Sequence, residues 1–246
     1  MKTTIRLNGE DIRSGVNAVS QACDTESTRY ALACIQGEFI DGELTLIATD
    51  GRRLHKYTFA KCQLHTQHAE NGEFKIPEKV WKLLAKASKR GIVQIEIDKD
   101  SVTAHVPTGA KGDKMESVTD KHEGRYPGWR QIWPNSSYSV RLSGTVAEFK
   151  AWIESVRVNI TPEFAWDSDG IPSVNYIMTM PKGGRSYLPK LKVETKVPER
   201  ITFNTDYLSQ FIDGWNDKAL VELMVMGDDK YIATVGNATC LFMGYR

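Results

Sequence analysis

The residues best placed to do chemistry are cations that share one face of a predicted helix. They fall within an arc of ~100° on a helical wheel, and they are Lys79, Lys82, Lys86, Lys89 and Arg90. Such a face can bind phosphate groups weakly, in a salt-dependent way and without reading base sequence. A hydrated lysine face with no ligand is the alternative that the residues leave open. The stripe that we expect to be buried consists of Val80, Leu83, Leu84 and Ala87, with Trp81 at its edge.

Apart from these cations, no set of residues matches a known catalytic motif. The sequence contains no GxSxG, HExxH or P-loop motif, and its histidines are scattered. His65 and His68 have a spacing that could hold a metal ion, but a polar loop is the simpler expectation. Asp50 precedes a glycine, so its carboxylate can accept hydrogen bonds within its own turn. We therefore expect a protein that is not an enzyme and that needs no metal or other cofactor.

Length and composition predict a cytoplasmic globular protein of two domains. The chain has 246 residues and a net charge of +1, so any basic surface must be local and balanced by acidic residues elsewhere. No apolar run approaches the ~20 residues that cross a membrane. The N-terminus lacks the apolar stretch of a signal peptide. We expect no contact with a membrane.

A strand–helix–strands pattern occurs four times and supplies the elements that position these residues. The predicted helices run from Asn8 to about Ala22, from Pro77 to about Arg90, from Ser143 to about Arg157 and from Asn204 to about Trp215. Asn8, Ser143 and Asn204 suit N-caps, and Pro77 suits a first turn. Pairing the repeats predicts domains at 1–137 and 138–246. The predicted fold class is α+β, with two helices packed on one side of the sheets in each domain.

The other predicted helices carry fewer cations. Arg13 lies on the polar face of the first helix, while Lys150 and Arg157 lie on the third with Glu154 between them. The fourth helix presents no cation on its polar face. The cations of any phosphate-binding surface are therefore distributed unevenly among the four predicted helices.

Four segments resemble the signatures of a known family in order and spacing. They are Thr28-Arg29-Tyr30-Ala31-Leu32, Ala48-Thr49-Asp50-Gly51-Arg52-Arg53-Leu54, Glu123-Gly124-Arg125-Tyr126-Pro127-Gly128-Trp129-Arg130 and Cys240-Leu241-Phe242-Met243-Gly244-Tyr245-Arg246. The family is the bacterial DNA polymerase III β sliding clamp. The resemblance covers nearly the whole chain: residues 1–137 are similar to the family's middle domain and 138–246 to its C-terminal domain. It implies two DNA-clamp domains.

The resemblance implies a ring-shaped processivity factor that tethers a DNA polymerase to duplex DNA without sequence specificity. Helices line the hole of such rings, and the cations that would face DNA are Arg13, Arg29, Lys79, Lys82, Lys86, Lys89, Arg90, Lys150 and Arg157. Two domains per chain reach the six domains of a ring with three copies, so the expected assembly is a homotrimer. The rival reading is a non-ring module that binds DNA or a partner and retains the clamp fold.

The resemblance also implies a pocket that binds short peptide motifs of the DNA polymerase and the clamp loader. Carried over position by position, it consists of Leu32, Thr49, Gly51, Arg52, Leu54, Pro127, Gln131, Ile132, Leu241, Phe242, Met243, Gly244 and Tyr245. A plain seam between domains is the alternative. Gln131 stands where an Arg is usual, Gly244 replaces the common Pro, and Tyr245 replaces Met or Leu. We therefore expect an altered motif preference.

Overall fold

The chain divides into two compact units, Met1–Gly128 and Trp129–Arg246. The structure, a computed structural model, describes residues 3–26, 30–60, 65–67, 71–87, 91–98, 101–107, 114–120, 125–135, 137–156, 163–164, 191–195, 201–202, 204–226 and 230–243. The predicted domain boundary after residue 137 stays a prediction. Both units combine helices with antiparallel sheets, which confirms the α+β class.

The first unit contains helices α1 (Gly9–Ser20) and α2 (Glu78–Ala87). Its described strands are β1 (Thr3–Asn8), β2 (Cys34–Ile40), β3 (Glu43–Thr49), β4 (Arg53–Thr58), β5 (His65–Gln67), β6 (Gly72–Pro77), β7 (Ile92–Ile97), β8 (Ser101–Pro107) and β9 (Lys114–Asp120). They form antiparallel ladders in the orders β5-β1-β7-β8-β9 and β4-β3-β2-β6. A short 3-10 turn, Tyr30–Ala33, precedes β2.

The two repeats of the first unit exchange strands. Strand β1 leads into α1 but pairs with β7, which follows α2. Strand β6 leads into α2 but pairs with β2, which follows α1. Helix α1 contacts β3 and β4, α2 contacts β6 and β8, and the two helices contact each other. The core of this unit therefore lies between its helices and its sheets.

The second unit repeats this plan. Its helices are α3 (Val146–Val156) and α4 (Thr205–Ile212). Its described strands are β10 (Val140–Thr145), β11 (Glu163–Phe164), β12 (Lys192–Thr195), β13 (Ile201–Thr202), β14 (Leu220–Met226), β15 (Lys230–Val235) and β16 (Ala238–Met243). Strand β10 lies between β12 and β14, and β15 and β16 continue the sheet beyond β14. Strand β11 pairs with β13.

Two of the predicted N-caps are confirmed, because each depends on contacts within its own turn. The Asn8 side chain accepts a hydrogen bond from Glu10 N at 3.1 Å. The Asn204 side chain accepts one from Asp206 N at 2.9 Å. Both satisfy an amide that has no partner inside the helix.

The third predicted N-cap, Ser143, is wrong. Ser143 lies inside β10, opposite Lys192 on one side and Glu222 on the other. The cap is Thr145, whose hydroxyl accepts from Glu148 N at 3.3 Å. In return, Glu148 Oε2 accepts from Thr145 N at 2.8 Å. This reciprocal arrangement is a capping box, and it moves the start of the helix to Val146.

Several predicted boundaries also shift. Helix α1 ends at Ser20 rather than Ala22, and α4 ends at Ile212 rather than Trp215. The described part of α2 extends to Ala87, and its predicted extension to residue 90 falls outside the described ranges. The described part of α3 extends to Val156, and the predicted end at residue 157 also falls outside them. Pro77 closes β6 and directly precedes α2 instead of lying in its first turn. His65 lies in β5 rather than in a loop.

No helix among the described residues is long and apolar enough to cross a membrane.

The buried stripe of α2 differs from the predicted one. Trp81 and Leu84 are fully buried and Ala85 is nearly so, whereas Leu83 is 59% exposed. The Trp81 ring packs against Phe74 at a centroid distance of 6.4 Å. An indole contributes more apolar area than a leucine side chain. The helix therefore turns Trp81 inward and leaves Leu83 beside the lysines.

Candidate nucleic-acid interface and partner-binding residues

Three predicted DNA-facing lysines lie together on α2. Lys79, Lys82 and Lys86 are all exposed. Lys82 forms an ion pair with Glu78, whose side chain is only 7% exposed. Within the described part of the chain, Lys79 and Lys86 form no ion pair. An ion pair with an exposed lysine contributes about 1 kcal/mol or less, so all three ammonium groups can reach an anionic ligand. Lys89 and Arg90 lie outside the described residues.

Arg13 connects the two helices of the first unit. Its Nε donates to the carbonyl of Ala85 at 3.4 Å. Ala85 lies in the last turn of α2, where carbonyls have no partner inside the helix. Arg13 therefore helps to fix the end of α2 as well as carrying a charge on α1.

The structure gives less evidence about DNA contact for the remaining predicted cations. Lys150 Nζ donates to Asp217 Oδ1 at 3.1 Å, and the two side chains are 37% and 69% exposed. Its charge is therefore balanced locally by a residue that is distant in sequence. Arg29 and Arg157 lie outside the described residues. The assignment of all these cations to DNA binding stays a prediction.

A tight turn between β3 and β4 positions three of the predicted pocket residues. Asp50 Oδ1 accepts from Arg52 N and Arg53 N, each at 2.9 Å. The Thr49 hydroxyl donates to Arg53 O at 2.6 Å and accepts from Gly51 N at 3.0 Å. Gly51 has a φ of +86°, which a residue without Cβ adopts most easily. The turn therefore buries Thr49 and presents Gly51 and Arg52 on the surface.

Two residues that the sequence reasoning missed attach this turn to the end of α1. Arg53 Nη2 donates to Gln21 O at 2.6 Å, and its Nε contacts Asp50 Oδ2 at 3.1 Å. His55 Nδ1 lies 2.9 Å from Ala18 O. Burial lowers the pKa of His55 to about 4, so its imidazole is neutral near pH 7 and donates through Nδ1–H. The alternation of Arg53 and His55 along β4 was the available signal, since alternate residues face the same side of a strand.

Two further predicted pocket residues, Leu54 and Pro127, lie in β4 and beside Tyr126, respectively. Leu54 lies directly across from Thr49 in the β3–β4 ladder, and both are buried. The Tyr126 hydroxyl donates to Ile47 O at 3.2 Å, which holds the neighbouring Pro127 near the same strands. Burial raises the pKa of Tyr126 well above its usual value, so the hydroxyl remains a donor. The structure therefore pairs Thr49 with Leu54 inside the sheet, whereas Pro127 is exposed next to the anchored Tyr126.

Strand β16 of the second unit supplies three predicted pocket residues. Leu241 is buried in β16, and Met243 is 42% exposed two residues later, on the same face. Phe242 faces the other side: its ring stacks on Tyr231 at 5.5 Å and meets Tyr207 of α4 edge-on at 6.4 Å. Phe242 is thus a core residue of this unit. Leu241 and Met243 lie on the other face of β16, where Met243 is exposed and Leu241 is not.

The last predicted pocket residues fall in three places. Leu32 is buried in the 3-10 turn before β2. Gln131 is exposed and Ile132 is 47% exposed, near a second 3-10 turn at Trp129–Gln131. Gly244 and Tyr245 lie outside the described residues. Peptide binding by this set stays a prediction.

Comparison with known structures identifies the fold as that of DNA sliding clamps. A crystal structure of the DNA polymerase III beta subunit from Thermotoga maritima matches 99% of this chain with a TM-score of 0.79 at 15% identity. DNA polymerase sliding clamps from Pseudomonas aeruginosa and Bacillus subtilis also match 99% of it, with TM-scores of 0.78 and 0.76 at 16% and 17% identity. The chain spans 65%, 66% and 64% of those three chains, respectively.

The sequence itself identifies the family. Residues 6–127 match the family model of the DNA polymerase III beta subunit, central domain. A search of curated proteins finds no significant match. The matched segment of the chain, residues 6–127, belongs to the family of the DNA polymerase III beta subunit, central domain.

Proposed function

We propose that this protein is a DNA sliding clamp, a ring-shaped processivity factor that tethers a DNA polymerase to duplex DNA. The observation that carries the proposal is the clamp fold over 99% of the chain, together with the central-domain match at residues 6–127. Sliding clamps act by encircling DNA, so the role requires neither catalysis nor a cofactor from this chain.

Sliding demands contacts that hold DNA without fixing its register. Lysine ammonium groups meet this demand, because they attract phosphates and carry no information about the bases. Lys79, Lys82 and Lys86 supply three such groups on the exposed side of α2. Each phosphate contact lowers the slope of log K against log salt concentration by about 0.9. Binding should therefore be weak at physiological salt and steeply salt-dependent.

The test of the DNA contact is the salt dependence of binding to a labelled duplex. Changing all three α2 lysines to Ala should weaken binding equally for different base sequences and reduce the slope by up to about 3 units per subunit that contacts DNA. Lys218→Ala is the matched control, because Lys218 is exposed outside the helices. An unchanged slope in the triple variant would remove α2 from the interface.

The ring is proposed as a homotrimer, since three copies of a chain with two clamp domains provide six domains. Among the described strands, β9 and β12 each pair on one side only. An edge strand presents unpaired N–H and C=O groups that another chain can complete. Sedimentation of the purified protein should give a mass of three chains at micromolar concentration. A stable monomer would contradict the trimer.

The rival function is an open module that binds DNA or a partner and keeps the clamp fold. Retention on DNA distinguishes the two. A closed ring loaded on circular duplex DNA stays bound in high salt and escapes when the circle is cut, because its hold is topological. An open module dissociates from both forms alike, so equal loss from circular and linear DNA would favour it.

The proposed partners are a DNA polymerase and a clamp loader that dock short peptide motifs. Met243 is 42% exposed and offers an apolar contact, and methionine repacks easily around different guests. Tyr245 in place of Met or Leu should alter the preferred motif. Comparing a clamp-binding peptide on wild type and Tyr245→Met tests this, and equal affinities would show that Tyr245 does not shape the site.

A further inference from the structure

The stretch from Trp129 to Trp133 forms a compact aromatic surface within the second unit. The rings of Trp129 and Trp133 meet edge-to-face with their centroids 5.7 Å apart. The Arg130 guanidinium carbon lies 4.7 Å from the centroid of the Trp129 ring. Ile132 N donates to Trp129 O at 3.2 Å and closes the turn. We call Trp129, Arg130 and Trp133 the tryptophan platform.

The platform has the composition of a protein-binding hot spot. Both indoles are half-buried, Arg130 is exposed and Ile132 is 47% exposed. Trp and Arg are the residue types that most often dominate binding energy at interfaces. Because Arg130 already rests on Trp129, less side-chain freedom is lost when a ligand binds. The surface is thus arranged for binding before any partner arrives.

The platform is continuous with residues proposed to contact partner peptides. Gln131 and Ile132 belong to that set and lie between the two indoles in the chain. A peptide held by Gln131 and Ile132 must therefore pass close to the platform. An indole pair favours an apolar or aromatic side chain. A guanidinium favours a carboxylate, with which it forms charge-assisted hydrogen bonds.

We propose that the tryptophan platform binds residues flanking the clamp-binding motif of a partner peptide: an aromatic or aliphatic side chain against the indoles, and an acidic one against Arg130. The inference rests on the proposed function and assigns a specificity element to it. Partners whose motifs are flanked in this way bind more tightly than partners with neutral, small flanks.

Single-stranded DNA is the other ligand that stacks on exposed indoles. Its binding also needs cations that follow the phosphate backbone. The stretch from Trp129 to Asn135 contains a single cation, Arg130. The charge pattern therefore favours a peptide with one acidic residue over a polyanion.

The experiment compares two fluorescein-labelled peptides by fluorescence anisotropy. Both carry the same clamp-binding motif, flanked by Asp and Phe in one and by Ser and Gly in the other. Wild type should bind the Asp–Phe peptide about tenfold more tightly, the size expected of one aromatic contact plus one charge-assisted pair. Arg130→Gln and Trp133→Phe should each reduce this ratio while leaving the affinity for the Ser–Gly peptide unchanged. Trp215→Phe, a change at a half-buried tryptophan elsewhere in the unit, is the matched control.

Reversing the charge of Arg130 separates a change in recognition from a loss of folding, because one peptide should bind more weakly and another more tightly. Arg130→Glu should weaken the Asp–Phe peptide and tighten a peptide with Lys in place of Asp. Equal wild-type affinity for the two flanks would overturn the inference and leave the proposed function standing. Failure of both peptides to bind would overturn the proposed function and the inference with it. Binding of labelled oligothymidine that is lost in Trp133→Phe would reassign the platform to single-stranded DNA.

Discussion

Replacing Gly37 even with alanine should destabilise the first unit, because a neighbouring ring occupies the space of the missing side chain. Gly37 lies in β2 directly opposite Phe74 of β6. A Cβ added to Gly37 would lie 2.5 Å from Phe74 Cε1 and 2.6 Å from Cε2. Ordinary contact needs 3.4 Å or more. The Phe74 ring would therefore have to move by roughly 1 Å within a core packed as densely as a crystal.

The free-energy cost of Gly37→Ala depends on where the Phe74 ring can move. Phe74 is 2% exposed and packs against the fully buried Trp81, so any displacement presses on α2. Overpacking of this kind costs about 1–3 kcal/mol. Alanine returns about 0.5–1 kcal/mol, since it has less freedom than glycine in the unfolded chain. The expected net loss in the free energy of unfolding of the first unit is roughly 0–2.5 kcal/mol, with a central value of about 1 kcal/mol.

Equilibrium urea unfolding, followed by far-UV circular dichroism, measures the loss. Phe74→Leu should be less damaging in the Gly37→Ala background than in wild type, with a coupling of at least about 0.5 kcal/mol. Gly42→Ala is the control: its φ of +81° makes alanine strained there, but no atom lies within 4 Å of the new Cβ. Its cost should therefore not depend on residue 74. Identical effects of Phe74→Leu in both backgrounds would refute the steric explanation.

Three other predictions follow from single side chains. Burial lowers the pKa of His55 to about 4, so below about pH 6.5 the unfolded chain binds a proton at this residue that the folded chain does not yet bind. As the pH is lowered from 6.5 to 4, the free energy of unfolding should decrease by at most about 3 kcal/mol. Urea titrations of His55→Gln should lack that decrease. Thr145→Val should destabilise the second unit by about 1 kcal/mol in the same assay, whereas Ser143→Ala, the matched control in β10, should cost much less; equal losses would contradict the capping assignment. Arg13→Gln should cost about 1 kcal/mol of stability, because Arg13 donates to Ala85 O, and should reduce the salt slope of DNA binding by about one unit; an unchanged slope would leave Arg13 with the structural role alone.

Features that depend on a few neighbouring residues were predictable from sequence. Asn8 and Asn204 cap their helices through bonds within one turn, so the residue type was enough. Gly51 and Asp50 belong to a turn that closes on itself in the same way. The resemblance placed this turn in a clamp domain, and the family match at residues 6–127 confirms that assignment.

Features that depend on distant partners were not predictable. Ser143 and Thr145 are equally competent caps, and the choice is made by the β10–β14 ladder, which continues as far as Thr145 opposite Leu220. The orientation of α2 is set by Phe74 against Trp81, whereas a helical wheel weighs Leu83 and Trp81 without their surroundings. The attachment of Arg53 to Gln21 O joins residues that no local pattern relates.

The exchange of strands between repeats has a kinetic consequence. The ladder that joins β1 to β7 pairs Thr3 with Ile97, so the two ends of a long segment must meet before either sheet is complete. Contacts of such high sequence separation slow folding, because loop-closure entropy is lost before the ladder forms. The interlocked halves should behave as complementary fragments: a chain cut between β5 and β6 leaves neither half able to fold alone, while mixing the two restores the unit. The lysines of α2 would reach their exposed positions only after the strands of the two repeats have paired.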